Sequence, residues 1–373
     1  MAMINFTSAL YLGLHHPSRL LQPWQQLSLG VPAALTEPPG AGEVAQQLAQ
    51  LQGCEQGVLL PSTLHLFWDL FGMLFQQRAA LFLDEGTYAV VRWGVEQFRA
   101  KGGEVHTFRH HDPDALLAQI KRLAYGRRKY PVAIADGFCP ACGRAAPVGE
   151  YLEIVRHFGG VLVLDDTQAL GILGEMPALH SPYGKGGGGV LRWSGNSGPD
   201  IIVGSSLAKG LGVPVAVLTG SRKLIKRFKT ASDTRVHGSP PSVAVIQAAR
   251  HALIVNRSQG DWLRQRLAQR VTRFRSGLAA MGLNTIGGWF PVQILRGIDG
   301  NEAVRVHQFL SRQGIQTVLS RPRGSSVVHL SFLMTARHTA GEIDHCIDVL
   351  ATAIHGFEET LIVKETKYSD FIK

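Results

Sequence analysis

The chain has 373 residues, 45% hydrophobic and 18% charged, a balance that fits a soluble two-lobed or two-domain globular protein and excludes a disordered or fibrous chain. No apolar run of about 18 residues interrupts it, and its opening "MAMINFTSALYLGL" lacks a basic start before a long apolar core, so neither a membrane span nor a secretory leader is expected. The formal charge of +10 sits in short clusters such as "KRLAYGRRK" and "SRKLIKRFK", without the interleaved aromatics of a nucleic-acid platform, which leaves an anionic cofactor or acidic substrate as the natural partner. Four cysteines, Cys54, Cys139, Cys142 and Cys346, are too few for a disulfide framework at this length and agree with a reducing, cytoplasmic setting.

Along the chain, the runs "AALFLDE", "PVAIADG", "GGVLVLDD", "DIIVGSS" and "VAVLTGS" alternate with helical patterns. Continuous apolar runs belong to strands buried on both faces, so the expected architecture is α/β with a mostly parallel sheet covered by helices. Ligands of such sheets bind beyond the carboxyl ends of the strands. Asp84, Asp136, Asp165, Asp166, Ser205 and Ser206, which follow or end these runs, are therefore expected at one edge. After residue 242 the pattern changes to a long helix, then to "FPVQILRG" and "VVHLSFLM" around the helix "NEAVRVHQFLSRQG", and closes with "AGEIDHCIDVLATAIHGF". This reads as a smaller α+β domain.

Lys209, in "SSLAKGLG", follows the fourth run and is flanked by small residues that let a backbone and a ligand approach closely. In isolation it reads as a loop cation. Asp165 ends the third run some forty residues earlier, and an acid for a ring nitrogen together with a Schiff-base lysine is how pyridoxal phosphate is held.

With these residues in place, the chain resembles the fold-type I pyridoxal-phosphate enzymes, and among them the α-oxoamine synthases. "INFTSALYLGLHHP", "VLVLDDTQALGILG", "SSLAKGLG", "GSPPSVAVIQAA" and "MTARHTAGEIDHCIDVL" are similar, in order and nearly end to end, to segments of that family. The resemblance implies the aspartate-aminotransferase-like fold. It implies an N-terminal segment over 1–45 that contributes to the small domain and the substrate site, a large cofactor-binding domain over 46–260 and a small domain over 261–373. It also implies a homodimer in which the Ser239 region contacts the partner's site.

Position by position, the resemblance makes Lys209 the lysine that carries the cofactor and moves protons, and Asp165 the acid that keeps the pyridine nitrogen protonated. Tyr88 falls where the family stacks a histidine on the ring. Ser62, Thr63 and Ser206 fall on the phosphate hydroxyls, and Asp136 on an acid supporting the ring from the neighbouring strand. Gln168 replaces a histidine; it can hydrogen-bond the cofactor's phenolic oxygen but exchanges no proton near neutral pH.

Other departures touch the substrate side. Ala9 and Leu10 replace Asn-Asp, and "GVPAALTEPPGAG" replaces a Gly/Ser-rich stretch containing arginine that helps shape the acyl-CoA site. The arginine that grips an amino-acid carboxylate falls at His329 or Ser331, with Arg321, Arg323 and Arg337 nearby as substitutes. The implied activity is condensation of an amino acid with an acyl-CoA thioester. The alternatives are an aminotransferase or other pyridoxal-phosphate enzyme without CoA, and a non-catalytic subunit of the same fold. "CPAC" at 139–142 lacks the second ligand pair of a zinc site, "GKGGGG" at 184–189 reads as a flexible loop, and the histidine pairs at 15–16 and 110–111 read as solvated turns.

Overall fold

The structure, a computed structural model, describes residues 3–124, 129–321 and 327–369. It divides into two compact units: Leu12–Cys139 with Arg144–Arg264, and a smaller one of Met1–Tyr11, Pro140–Gly143 and Gln265–Lys373.

The larger unit is built on a seven-stranded sheet. Its order is Gln56–Leu60, Ala216–Gly220, Ile201–Ser206, Val161–Asp165, Tyr130–Asp136, Ala79–Asp84 and Glu104–Phe108. All five runs picked out in the sequence are strands of this sheet. The ladders from Ile201–Ser206 to Glu104–Phe108 are parallel, and Ala216–Gly220 is antiparallel to both of its neighbours. Strand Gln56–Leu60 therefore points the same way as the parallel set. The carboxyl ends of six strands consequently share one edge, where residues 62, 88, 136, 165 and 206 follow or end them. The central strands are buried along nearly their whole length, which is why they read as unbroken apolar runs.

Helix Thr63–Gln76 packs on strands Ile201–Ser206 and Ala216–Gly220 and against helix Ala89–Ala100. Its Phe67 and Phe71 are fully buried. The two helices approach closely at Gly94, where a Cβ would lie 2.8 Å from the Phe71 ring and 3.0 Å from the Phe67 backbone.

The smaller unit holds a four-stranded antiparallel sheet in the order Thr285–Ile286, Val292–Leu295, His329–Leu333, Val318–Ser320, with helices Gly300–Arg312 and Ala340–Ser369. Phe6, Phe274 and Phe332 form its aromatic centre, with ring centroids 5.0–6.3 Å apart, and His338 stacks on Phe6 at 4.4 Å. Residues up to Tyr11 belong here because Ile4–Asn5 pairs in parallel with Ile315–Gln316, so the stretch 1–45 is shared between the units. The other boundary lies inside helix Val243–Ala280, after Arg264. No helix among the described residues is long and apolar enough to cross a membrane.

Candidate active site

At the shared strand edge, Asp136 and Asp165 are register partners on adjacent parallel strands, so their side chains emerge side by side. Asp165 is buried, and its Oδ1 accepts the N–H of Thr167 at 3.0 Å. Both oxygens of Asp136 accept the main-chain N–H of Tyr88 at 3.1 Å. Lys209 follows strand Ile201–Ser206 and lies close enough to both carboxyls to interact electrostatically. Its Nζ sits 5.7 Å from the centroid of the Tyr88 ring, within cation–π reach.

Burial governs the protonation of this trio. It lifts the Asp165 carboxyl above its usual range, with Thr167 and the Lys209 charge pulling the other way. Asp136 is pushed well above the carboxylate range by burial and then by the neighbouring Asp165. Burial lowers the Lys209 amine, against the pull of Asp165 and Asp136. All three shifts favour the neutral form, so Lys209 has an enlarged share of the unprotonated, nucleophilic amine.

Ser62 occupies the N-cap position of helix Thr63–Gln76, yet its hydroxyl pairs with His65 Nδ1 at 2.9 Å and caps nothing. The first turn of a helix with no side-chain cap offers its N–H groups to an anion, and Thr63 opens that turn. Ser206 donates its N–H to Thr167 Oγ1 at 2.9 Å, while its own hydroxyl accepts from the Ala208 N–H at 3.2 Å. Thr167 thus ties the Asp165 turn to the Lys209 turn, a role the sequence reading did not assign. Gln168 is half-buried in the same turn.

Asp166 turns away from this group. It is 1% exposed, and both of its oxygens accept the Val190 N–H at 3.2 Å. His15 is exposed, as expected of a solvated turn, but His16 and the turn pair at 110–111 are half-buried and engaged. His110 Nδ1 lies 2.6 Å from Asp84, and His16 links His251 Nδ1 and the Leu211 carbonyl, each at 2.8 Å. The "GKGGGG" segment is likewise pinned rather than loose, as described below. Ser331 is buried in its strand and His329 half-buried, both in the smaller unit. Arg321 and Arg337 are exposed there, and Arg323 lies outside the described residues.

Residues 2–350 match the family model for aminotransferase class I and II. The chain belongs to that family. It is 28% identical over 259 residues to the 8-amino-7-oxononanoate synthase of Alkalilimnicola ehrlichii, covering 69% of this chain and 63% of that protein, less than two thirds of its length. It is 28% identical over 364 residues to the enzyme of the same name from Sodalis glossinidius, covering 94% of this chain and 88% of that one. A solved structure of SPT with pyridoxal phosphate superposes with a TM-score of 0.81 at 18% identity, covering 95% of this chain and 88% of that one. The fold of this class I and II family member is thus that of the pyridoxal-phosphate-dependent transferases, and its resemblance to the α-oxoamine synthases is shared by its curated relatives.

The residues present suit such a cofactor. Asp165 is a buried carboxyl that accepts the main-chain N–H of Thr167, and its acceptor oxygens suit it to a protonated ring nitrogen. The Tyr88 ring beside Lys209 offers a flat face, and the uncapped turn at Ser62 offers N–H donors to a phosphate.

Proposed function

We propose that the protein is a pyridoxal-phosphate-dependent acyltransferase of the α-oxoamine synthase type, joining an amino acid to an acyl-CoA thioester with a specificity of its own. The observation that carries this reading is the approach of Lys209 to the paired Asp165 and Asp136 carboxyls and to the Tyr88 ring. The cofactor, when bound, supplies an electron sink that stabilises negative charge at the amino acid's α-carbon.

Lys209 would hold the cofactor through Nζ and would serve as the group that takes and returns the α-proton. Asp165 would accept the ring N–H, whose positive charge would favour the ionised carboxyl. Asp136 positions Tyr88 through the main chain, and the phenol ring would offer the cofactor a stacking surface. Ser62, Thr63 and Ser206 would hold the phosphate. Gln168 would hydrogen-bond the phenolic oxygen and would leave proton transfer to Lys209. The protein acts as a cytoplasmic homodimer, with the exposed Ser239 segment reaching the partner's phosphate. The large domain over 46–260 holds the cofactor, and the segment over 1–45 contributes to the small domain over 261–373 and to the substrate site.

A second reading, a pyridoxal-phosphate enzyme that does not use CoA, is favoured by Gln168 and by the altered opening segment at Ala9 and Leu10. One experiment separates the two. The protein is loaded with pyridoxal phosphate, its visible absorption is recorded, and single amino acids are added with and without acyl-CoA thioesters. Free thiol released only when both are present supports the acyltransferase. Spectral change with an amino acid but no thiol from any thioester supports the second reading, and absence of a visible band in wild type, or one unchanged in Lys209→Ala, overturns both.

A further inference from the structure

The larger unit contains a cavity of about 520 Å³ that shares no lining residue with the Lys209 site. This volume lies within the usual range of small-molecule pockets. Its walls are helix Ala41–Gln52 at Gln47 and Leu51, the "GKGGGG" segment at Lys185 and Gly186, and helix Val243–Ala280 at Leu253 and Arg257.

The glycine-rich wall is built rather than loose. Gly184, Gly186, Gly187 and Gly189 all have φ between +70° and +90°, a region that favours glycine. The Gly186 N–H donates to Asp261 Oδ1 at 2.9 Å, and its carbonyl accepts from Asn256 at 2.8 Å, so both polar backbone atoms are clamped from one helix. Arg264, 1% exposed, braces these clamps by donating to Asp261 (2.6 Å), Asn256 (2.9 Å) and the Gly171 carbonyl (2.8 Å). A Cβ at Gly187 would meet Arg264 at 2.4 Å and one at Gly188 the Leu51 carbonyl at 2.2 Å, whereas one at Gly186 would meet nothing within 4 Å.

The charges of the cavity do not balance. Glu175 is paired with Arg192 at 2.9 Å, and Asp261 with Arg264 at 2.6 Å. Arg257 bonds the neutral amide of Gln47 at 3.1 Å, and Lys185 acts on the Asp261 charge from a longer distance, but among the described residues no carboxylate lies within ion-pair distance of either cation. Two cations thus face a preformed pocket whose acids already have partners, an arrangement that favours a ligand with at least two negative charges.

We propose that this cavity is a second ligand site, distinct from the cofactor site, for a small polyanion held by Lys185 and Arg257. Isothermal titration of the protein preloaded with pyridoxal phosphate, using inorganic pyrophosphate as the probe, tests it. One saturable site per chain is expected, at a dissociation constant below about 1 mM. In Lys185→Ala/Arg257→Ala, with an unchanged melting temperature, the affinity should fall about tenfold or more, and in Lys209→Ala it should be unaffected. Absence of saturable binding, equal binding by the double variant, or binding lost only in Lys209→Ala would each overturn the proposal. The last result would place the probe at the cofactor's phosphate position. Gly186→Ala gives a second check, since it strains the clamped backbone without removing charge, and weaker binding than wild type is the expected result.

Discussion

His110 Nδ1 donates to Asp84 Oδ1 across 2.6 Å, although 26 residues separate the two in sequence. Asp84, 1% exposed, also accepts the N–H groups of Gly86 (2.7 Å) and His111 (3.0 Å) and the Tyr151 hydroxyl (3.2 Å). The turn that delivers Tyr88 is therefore fastened at its root. A Cβ on Gly86 would lie 2.2 Å from the His110 ring, so glycine is needed for this approach.

Removing the fastening by His110→Ala leaves a buried carboxylate short of a donor. The expected loss is about 1–3 kcal/mol of stability, read from urea unfolding. The pH dependence has a definite sign. Burial alone would raise the Asp84 carboxyl, but the His110 and backbone bonds outweigh it and hold the group below its ordinary 3.8. This stabilisation is thus present in full above pH 3.8 and is lost as pH falls through the lower folded-state value. Asp84→Asn should flatten the unfolding free energy against pH in that acidic window.

Tyr88 separates ring from hydroxyl. Tyr88→Phe should keep cofactor affinity near wild type, and Tyr88→Ala should weaken it about three- to tenfold, the worth of one aromatic stack. Equilibrium dialysis of pyridoxal phosphate measures both variants, and equal affinity of Tyr88→Ala and wild type would remove the stacking role.

The lowered Lys209 amine has a kinetic signature. Covalent capture needs the neutral amine, so the capture rate should rise with pH and level off below 10.5, the ordinary lysine value. Stopped-flow absorbance across pH gives the midpoint. A midpoint at or above 10.5 would contradict the effect of burial.

Asp165→Asn should still bind the cofactor but turn over about 100-fold or more slowly, since an amide cannot hold the ring nitrogen protonated. Gln168→His tests the neighbouring position from the other direction. It introduces a group titrating near the free-histidine value of about 6.5, so the pH–rate profile should gain an inflection that wild type lacks.

Much of the framework is legible in the sequence because buried parallel strands leave an uninterrupted apolar record. Strand Gln56–Leu60, "QGVLL", opens on Gln and Gly and Glu104–Phe108, "EVHTF", is largely polar, so neither stands out by pattern. That Ala216–Gly220 runs antiparallel leaves no trace, because a strand buried on both faces looks the same in either direction. Lys209 and Asp165 could be singled out because each directly follows or ends a strand. His16, His110 and Thr167 could not, because their partners are fixed by tertiary approach: His251 is 235 residues from His16, and Ser206 is 39 from Thr167. The same holds for "GKGGGG", whose glycines suggest looseness while the side chains that clamp it come from a helix some seventy residues away.

Asp136 holds position 88 through a peptide N–H, a group every residue except proline supplies. Anchoring and ring chemistry are thereby uncoupled at this point. The aromatic surface offered to a cofactor is an interchangeable fitting, and phenol, phenyl, indole or imidazole can be exchanged by a single substitution while the strand ends keep their register.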